Sequence, residues 1–354
     1  MTRPVPVEAL ERFCREALRR CGMSEADARV TTDVLVTTDT FGIFTHGVKS
    51  LPGYVRRLRA GGLCAGARPA IESQGPAWAR VNGGSAIGMI TSVMAMNLAM
   101  EKARSAGVAY VGVRNSCHFG AAGYYALLAA KADMIGMAMA NDCPSMAVPG
   151  SRGAVLGTNP FAYAVPAGEE DPIFFDVASS AVAGGKIRIA QSMGQEVPLG
   201  WLVDADGVPT TDPNVYPHHG ALLPFAGHKG YGFATMIESL SAILTGAAST
   251  WAVGSWLDSD PALSTNHGAA FLAFNVGAMA PIAEFRTRMD KLIREVRQTP
   301  KAKGRERVYV PGELEWERRR GVIASGEMAM PDDVLAGLRS LATDVDVKAD
   351  WLQA

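Results

Sequence analysis

Two histidines sit in short polar stretches punctuated by glycine, Thr45-His46-Gly47 and Asn115-Ser116-Cys117-His118-Phe119-Gly120. Neither lies on an apolar stripe that would simply bury it. Imidazole exchanges a proton near neutral pH without large tuning, and a neighbouring glycine lets a substrate or cofactor approach the backbone. Each ring also admits a structural reading, in which it caps local backbone groups. A third run, Gly227-His228-Lys229-Gly230-Tyr231-Gly232, stands before a helical segment. There Lys229 and free N–H groups suit a phosphate, unless the lysine is merely solvated. Asp176 closes the apolar run Ile173-Phe174-Phe175 and reads either as a turn or helix cap or as an acceptor for ribose hydroxyls. Gly157-Thr158-Asn159-Pro160 reads as a loop that could aim an amide at a ligand. His218-His219 reads as an exposed loop pair, and His267 has no context that suggests a role.

The elements that must position these groups change character along the chain. Val7, Leu10, Phe13, Ala17 and Cys21 recur at spacings of three and four, predicting an amphipathic helix closed by Gly22. Ser24 and Asp27 resemble a capping box opening a second helix toward Thr40. Val48, Leu51, Val55 and Leu58 continue the helical period to Gly61-Gly62, which places His46 at a junction between helices. From there β-rich runs at 108–113, 135–140, 161–165, 173–177 and 270–275 alternate with helical stretches at 87–106, 121–132, 182–193, 233–244 and 282–298. Asp204-Ala205-Asp206-Gly207 reads as a tight surface turn. The tail from 313 to 341 reads as charged helix packing back on the N-terminal helices.

Bulk properties narrow the class. The chain has 354 residues, 48% apolar and 19% charged, with a net charge of −1, which favours two packed substructures of a soluble protein. That balance gives no support for nucleic-acid or membrane binding. Five cysteines without a C-x-x-C pair argue against a disulfide framework or zinc ribbon, and no metal is expected. The first twenty residues lack the apolar core of a signal peptide, and no run is long enough to span a bilayer, so the cytoplasm is the expected compartment. The Rossmann G-x-G-x-x-G is absent: Gly230-Tyr231-Gly232 is followed by Thr235 at the third position. Gly83 to Gly88 has phosphate-loop spacing, but Met89-Ile90 follows where Lys-Ser/Thr is needed.

The motifs gain weight in order. His46-Gly47-Val48, the run from Asn115 to Tyr125, Gly157-Thr158-Asn159-Pro160, Gly185-Lys186-Ile187, Asp204-Ala205-Asp206-Gly207 and His228-Lys229-Gly230-Tyr231-Gly232 together resemble the malate/L-lactate dehydrogenase family of the second, non-Rossmann kind. That family includes ureidoglycolate, sulfolactate and diketogulonate oxidoreductases and a cyclic imino acid reductase. The resemblance implies a mixed α/β (α+β) fold, with a nicotinamide-binding domain built on a large, mostly antiparallel sheet and a helical domain drawn from both chain ends. The expected division is 1–75 with 310–354 for the helical domain and 76–309 for the sheet-containing NAD(P)-binding and catalytic domain. It implies a homodimer with the active site near the subunit interface. His118 takes the place of the acid/base residue, with His46 binding or polarising the substrate oxygen, although other members assign proton exchange to the latter. Asp142 falls at a substrate-contacting position. Asn159, Asp176-Val177-Ala178, His228-Lys229 and Arg305-Glu306-Arg307 fall on cofactor-binding stretches.

Departures from the family pattern bear on substrate. Ser50, with Lys49 beside it, stands where many members carry an arginine that grips a carboxylate bidentately, which puts a second acidic group on the substrate in doubt. Asp142 would repel an anion and favour an amine or imine. Arg305 and Arg307 could attract a 2′-phosphate, so both NAD and NADP stay open. The expected activity is hydride transfer between nicotinamide and C2 of a small 2-hydroxy or 2-keto acid. The alternatives are NADPH-dependent reduction of Δ1-piperideine- or Δ1-pyrroline-2-carboxylate, and a non-catalytic nucleotide-binding homologue, against which intact His46, His118 and Lys229 argue.

Overall fold

The structure, a computed structural model, describes residues 2–352. Strand β1 (Thr2–Pro6) leads into helices α1 (Val7–Arg20), α2 (Glu25–Thr40) and α3 (Leu51–Ala60). There follow β2 (Ala70–Gly75), β3 (Trp78–Asn82), α4 (Gly88–Ala106), β4 (Val108–Ser116), α5 (Ala122–Lys131) and β5 (Met134–Ala140). Next come β6 (Met146–Ala147), β7 (Ala154–Leu156), β8 (Phe161–Val165), β9 (Ile173–Val177), α6 (Gly184–Met193), β10 (Leu202–Val203), β11 (Pro209–Thr210) and β12 (Ala221–Leu222). The chain ends through α7 (His228–Glu238), β13 (His267–Asn275), α8 (Val276–Met279), α9 (Ile282–Gln298), α10 (Glu313–Ser325), β14 (Glu327–Pro331) and α11 (Asp332–Val345).

A seven-stranded sheet in the order β2-β3-β4-β13-β5-β8-β9 forms the centre of the molecule. Every neighbouring pair is antiparallel except β3 with β4, so the expected mostly antiparallel sheet is observed. Late in the chain, β13 lies between β4 and β5 and is buried on both faces. Small residues permit close cover: Ala95, Ala99 and Ala103 of α4 and Ala122, Ala126 and Ala129 of α5 are all buried, and these helices pack on the sheet strands. A Cβ at Gly136 in β5 would fall 2.5 Å from the Ala126 carbonyl oxygen of α5. A five-stranded sheet, β11-β10-β12-β6-β7, has its own apolar core around Met146, Leu156, Ile187, Leu202 and Leu222.

Local signals set most boundaries. The Ser24 hydroxyl accepts the Asp27 N–H at 3.1 Å at the start of α2, and Gly61 ends α3 in the left-handed region at φ 94°. Asp204 Oδ1 accepts the N–H groups of Asp206 and Val208 in the turn between β10 and β11. The tail departs from the expected continuous helix. Gly326, at φ 71°, ends α10, and the alternation of buried Met328 and Met330 makes a strand instead. That strand pairs antiparallel with β1, Val5 opposite Met328. Helix α7 begins at His228, earlier than the expected 233, so His228 and Lys229 form its first turn rather than precede it. Strands β2 and β3 were not foreseen, because β2 is largely exposed and carries few apolar residues.

α11 packs on α1 and α3, and α10 packs on α2. Among the described residues no helix is long and apolar enough to cross a membrane. Replacing Gly136 with alanine should cost about 1–3 kcal/mol through overpacking against backbone. Urea denaturation of the variant checks this, and a wild-type midpoint would refute the close approach.

Candidate active site

Each histidine is set by a backbone approach that only glycine permits. His46 ends a single 3-10 turn, Phe44–His46. A Cβ on Gly47 would fall 1.8 Å from Asp39 Oδ1, so the turn descends directly onto this buried carboxyl. Asp39 Oδ2 accepts the Val48 N–H at 2.9 Å, and burial pushes its pKa well up. His118 lies in the turn between β4 and α5, pressed by α4: a Cβ on Gly88 would meet the His118 carbonyl oxygen at 2.4 Å.

The two rings come together with centroids 5.7 Å apart. His46 Nδ1 lies 2.9 Å from the exposed Thr45 hydroxyl. His118 Nδ1 lies 2.5 Å from the Tyr54 hydroxyl, and its ring stacks on Trp256 at 4.2 Å and 10°. Both rings are therefore held at Nδ1, and no described residue hydrogen-bonds either Nε2. Burial lowers the pKa of both. His46 is shifted down, while His118 falls to about 3, burial acting first and the neighbouring His46 next.

Trp256 is held in turn by Arg57, one turn beyond Tyr54 on α3. Arg57 has no exposed surface. Its guanidinium donates to the carbonyls of Trp256 (2.7 Å), Ser255 (2.7 Å) and Leu263 (2.9 Å) and to the Ser259 hydroxyl (2.8 Å).

Asp142 follows β5. Its N–H donates to Asn159 Oδ1 at 3.1 Å, and its Oδ1 accepts the Cys143 N–H at 2.8 Å. His267, at the start of β13, brings Nε2 to 3.2 Å from the same oxygen. Burial raises the Asp142 pKa, but the His267 hydrogen bond and the charges of His267 and His118 outweigh it, and the net shift is downward. Asp142 also acts electrostatically on both His46 and His118.

His46, His118 and Asp142 are thus assembled as one site. The remaining candidates are dispersed. Ser50 is buried, its hydroxyl 3.4 Å from the Thr45 carbonyl. Lys49 is exposed and pairs with Asp333 of α11 at 2.7 Å. Asn159 is fully buried and gives its amide N–H groups to the Ala234 carbonyl and Glu238, which makes it a support for Asp142. Asp176 caps α5, its Oδ2 accepting the Gly123 N–H at 2.7 Å, and burial lifts its pKa to about 6. Val177 and Ala178 are half-buried at the end of β9. His228 and Lys229 are exposed on the first turn of α7, and Arg305 and Glu306 are exposed before α10. Arg307 pairs with Glu317 and lies 4.2 Å over the Tyr309 ring.

Tyr54, Trp256, Arg57 and His267 escaped sequence reasoning. Tyr54 and Arg57 read as part of an apolar helix period, and His267 meets Asp142 only through long-range pairing of β13 with β5. A Cβ built on Gly185, in the first turn of α6, would meet Thr45 Cγ2 at 3.6 Å, and the exposed Lys186 follows it in the chain. Among the described residues no group of three His, Cys, Asp or Glu could hold a metal ion.

This constellation sits in a family. Residues 5–339 match the malate/L-lactate dehydrogenase family, and the chain belongs to it. It is accordingly an oxidoreductase acting on CH–OH or C=N groups. The chain is 37% identical to malate dehydrogenase of Pyrococcus abyssi, over 87% of this chain and 86% of that protein. It is 35% identical to the Delta(1)-pyrroline-2-carboxylate/Delta(1)-piperideine-2-carboxylate reductase of Pseudomonas putida, over 95% and 96%. The crystal structure of malate dehydrogenase from Entamoeba histolytica matches with a TM-score of 0.92 at 29% identity, covering 98% of this chain and 99% of that one.

The half-buried His118 ring gives a pH test with a definite sign. Its folded pKa lies below the ordinary 6.5, so the unfolded chain protonates first as pH falls. The associated stability is intact above about pH 6.5 and is lost as pH drops from there toward 3. The urea midpoint of His118→Gln should fall less between pH 7 and pH 5 than that of the wild type. Parallel decline of the two would remove the ring as the cause.

Proposed function

We propose that this oxidoreductase moves a hydride between a nicotinamide cofactor and C2 of a small 2-hydroxy or 2-keto acid. The single observation that carries the reading is the histidine pair, two rings 5.7 Å apart that are each held at Nδ1, with no hydrogen bond to either Nε2 among the described residues. The cofactor, when bound, supplies or accepts the hydride. Residues that fit it are the glycine-bearing turn around Gly120 and Gly123, Asp176 with Val177 and Ala178, and the first turn of α7. There Gly227 and Gly232 face open space beside His228 and Lys229, a setting suited to phosphate. Arg305, Glu306 and Arg307 remain candidates for the adenosine end, and both NAD and NADP are retained.

The ring environments support the reverse of the sequence-based division of labour. With Tyr54, 2.5 Å from His118 Nδ1, assigned as the donor, His118 is a neutral Nε2–H donor that holds and polarises the substrate oxygen. His46 faces the rotatable hydroxyl of Thr45, which can donate or accept, so His46 can alternate between protonation states and exchange the proton at that oxygen. The substrate carboxylate is assigned to the first turn of α6 with Lys186. A homodimer is part of the reading. Phe233, Met236, Ile243, Leu244 and Trp251 are exposed in one stretch of chain, a patch that suits a second subunit.

The first experiment is fluorescence titration with NADH and NADPH, followed by a panel of 2-keto acids and cyclic imines read at the reduced-cofactor absorbance. Binding of either cofactor with turnover of a panel member is expected; no binding of either would sink the reading. His46→Ala should lower kcat by about 10²–10⁴-fold and erase one limb of the kcat–pH profile. His118→Ala should cost roughly 10²–10³-fold while keeping that limb. The opposite pattern would return proton exchange to His118.

A further inference from the structure

Behind Asp142 lies a buried carboxylate that the proposed reaction does not use. Glu238, the last residue of α7, is 5% exposed. Three N–H donors converge on it: the Asn159 side-chain amide at 2.9 Å, the Thr250 backbone at 2.9 Å and the Asn141 amide at 3.4 Å. All three partners are neutral amide groups, and no lysine or arginine is among them. Burying such a group without a cation works against stability, so packing alone gives no reason for it. The helix is also deformed at this point. Directly after Glu238 it widens into a π-helical turn, Ser239–Ile243, where the Leu244 N–H donates to the Ser239 carbonyl five residues back at 2.9 Å. Such turns are rare and gather at functional sites.

The polarity of these contacts carries the argument. A carboxylate only accepts, so both asparagine amides must turn their nitrogens toward Glu238. Each nitrogen gives its second N–H to a backbone carbonyl, Asn159 to Ala234 at 3.1 Å and Asn141 to Ala248 at 2.8 Å. Their oxygens are thereby left facing the other way. Asn159 Oδ1 accepts the Asp142 N–H at 3.1 Å, and Asn141 Oδ1 accepts the Gly268 N–H at 2.8 Å. Gly268 follows His267, whose Nε2 lies 3.2 Å from Asp142 Oδ1. One carboxylate thus orders the backbone on both sides of the Asp142–His267 contact. Thr250 adds a third tie. It holds φ 47°, a left-handed conformation rare for a β-branched residue, and its N–H is given to Glu238. The segment that starts there carries Trp256 to the His118 ring.

We infer that Glu238 is a positioning residue: by fixing the direction of the Asn141 and Asn159 amides, it sets Asp142 against His267 beside the histidine pair. It acts through those two amides, and its consequence for turnover rests on the oxidoreductase reading. Glutamine at this position has nearly the same shape but carries an N–H group. Its nitrogen must face Asn159 on one side, or Thr250 and Asn141 on the other. Either choice sets buried donors face to face. Turning an asparagine amide for relief only passes the conflict on to the Asp142 or Gly268 N–H.

An exchange of polarity on the full-length protein tests it. Glu238→Gln should lower kcat by about 10- to 100-fold. Asn159→Asp, which sets two carboxylates together, should lose as much. The double variant Glu238→Gln/Asn159→Asp again aims a donor at an acceptor and keeps the total charge. It should recover to within about 5-fold of the wild type. Proton NMR gives a readout that needs no turnover. The downfield ring N–H signal of His267 bonded to Asp142, assigned by its absence in His267→Phe, should be lost in each single variant and return in the double. Wild-type turnover and signal in Glu238→Gln would overturn the inference. The double variant decides even where a single variant loses its fold: recovery of the signal supports the polarity argument, and no recovery overturns it. A signal that follows this pattern in a protein without turnover of any 2-keto acid or cyclic imine keeps the inference and loses the proposed function. Turnover with a signal indifferent to Glu238 does the reverse.

Discussion

The site depends on one buried cation. A guanidinium does not shed its proton in a protein, and taking it out of water costs several kcal/mol unless partners replace the solvent. Around Arg57 the replacements are carbonyls of a loop distant in sequence, those of Ser255, Trp256 and Leu263. The loop is irregular, so this demand for acceptors is what draws it against α3. Trp256 then lies against His118. Tyr54, one turn earlier on the same helix, meets the ring edge. A single helix thus fixes the ring by its plane and by one nitrogen.

The choice of carbonyls as partners also shapes the charge of the site. A carboxylate beside Arg57 would quench the cation and be quenched itself. Dipoles satisfy it without adding an opposite charge, and Asp142 keeps its field. Both rings of the histidine pair have pKa values lowered by burial, and the acidic group acting on both is Asp142, which His267 meets at 3.2 Å. In low dielectric that one charge weighs more than several on the surface. On the proposed reading the substrate carboxylate is assigned away from Asp142, to the first turn of α6, where a Cβ on Gly185 would come within 3.6 Å of Thr45 Cγ2.

Much of this was legible in the sequence where the cause is local. The strands Phe161–Val165 and Ile173–Val177 and the helix Ile282–Gln298 are bounded by residues that act on their own neighbours, and they lie where the residue pattern puts them. The cap at Ser24 is of the same kind. His46, His118 and Asp142 could be singled out because turns and glycines mark them. The misses share a different cause. β14 reads as helix until β1, at the far end of the chain, pairs with it. β2 is an edge strand with few apolar residues. His267 has no local signal at all; it acquires a partner because β13 pairs with both β4 and β5. Arg57 sits in a helix period, and nothing near it in sequence shows that its acceptors lie two hundred residues away.

The way the residues are held divides them by how easily each can change. His46 and His118 are fixed by backbone approaches, Gly47 on Asp39 and Gly88 on the His118 carbonyl, where any side chain collides with main-chain or sealed atoms. Altering them moves the frame. Ser50, Asp142 and His267 act through side chains whose replacement leaves the backbone path untouched. Asn159 and the Cys143 N–H hold Asp142 in place from the main-chain side, so even an exchange there need not disturb the sheet. The histidine pair is therefore set by packing, whereas the charge beside it is set by side chains, Asp142 with His267.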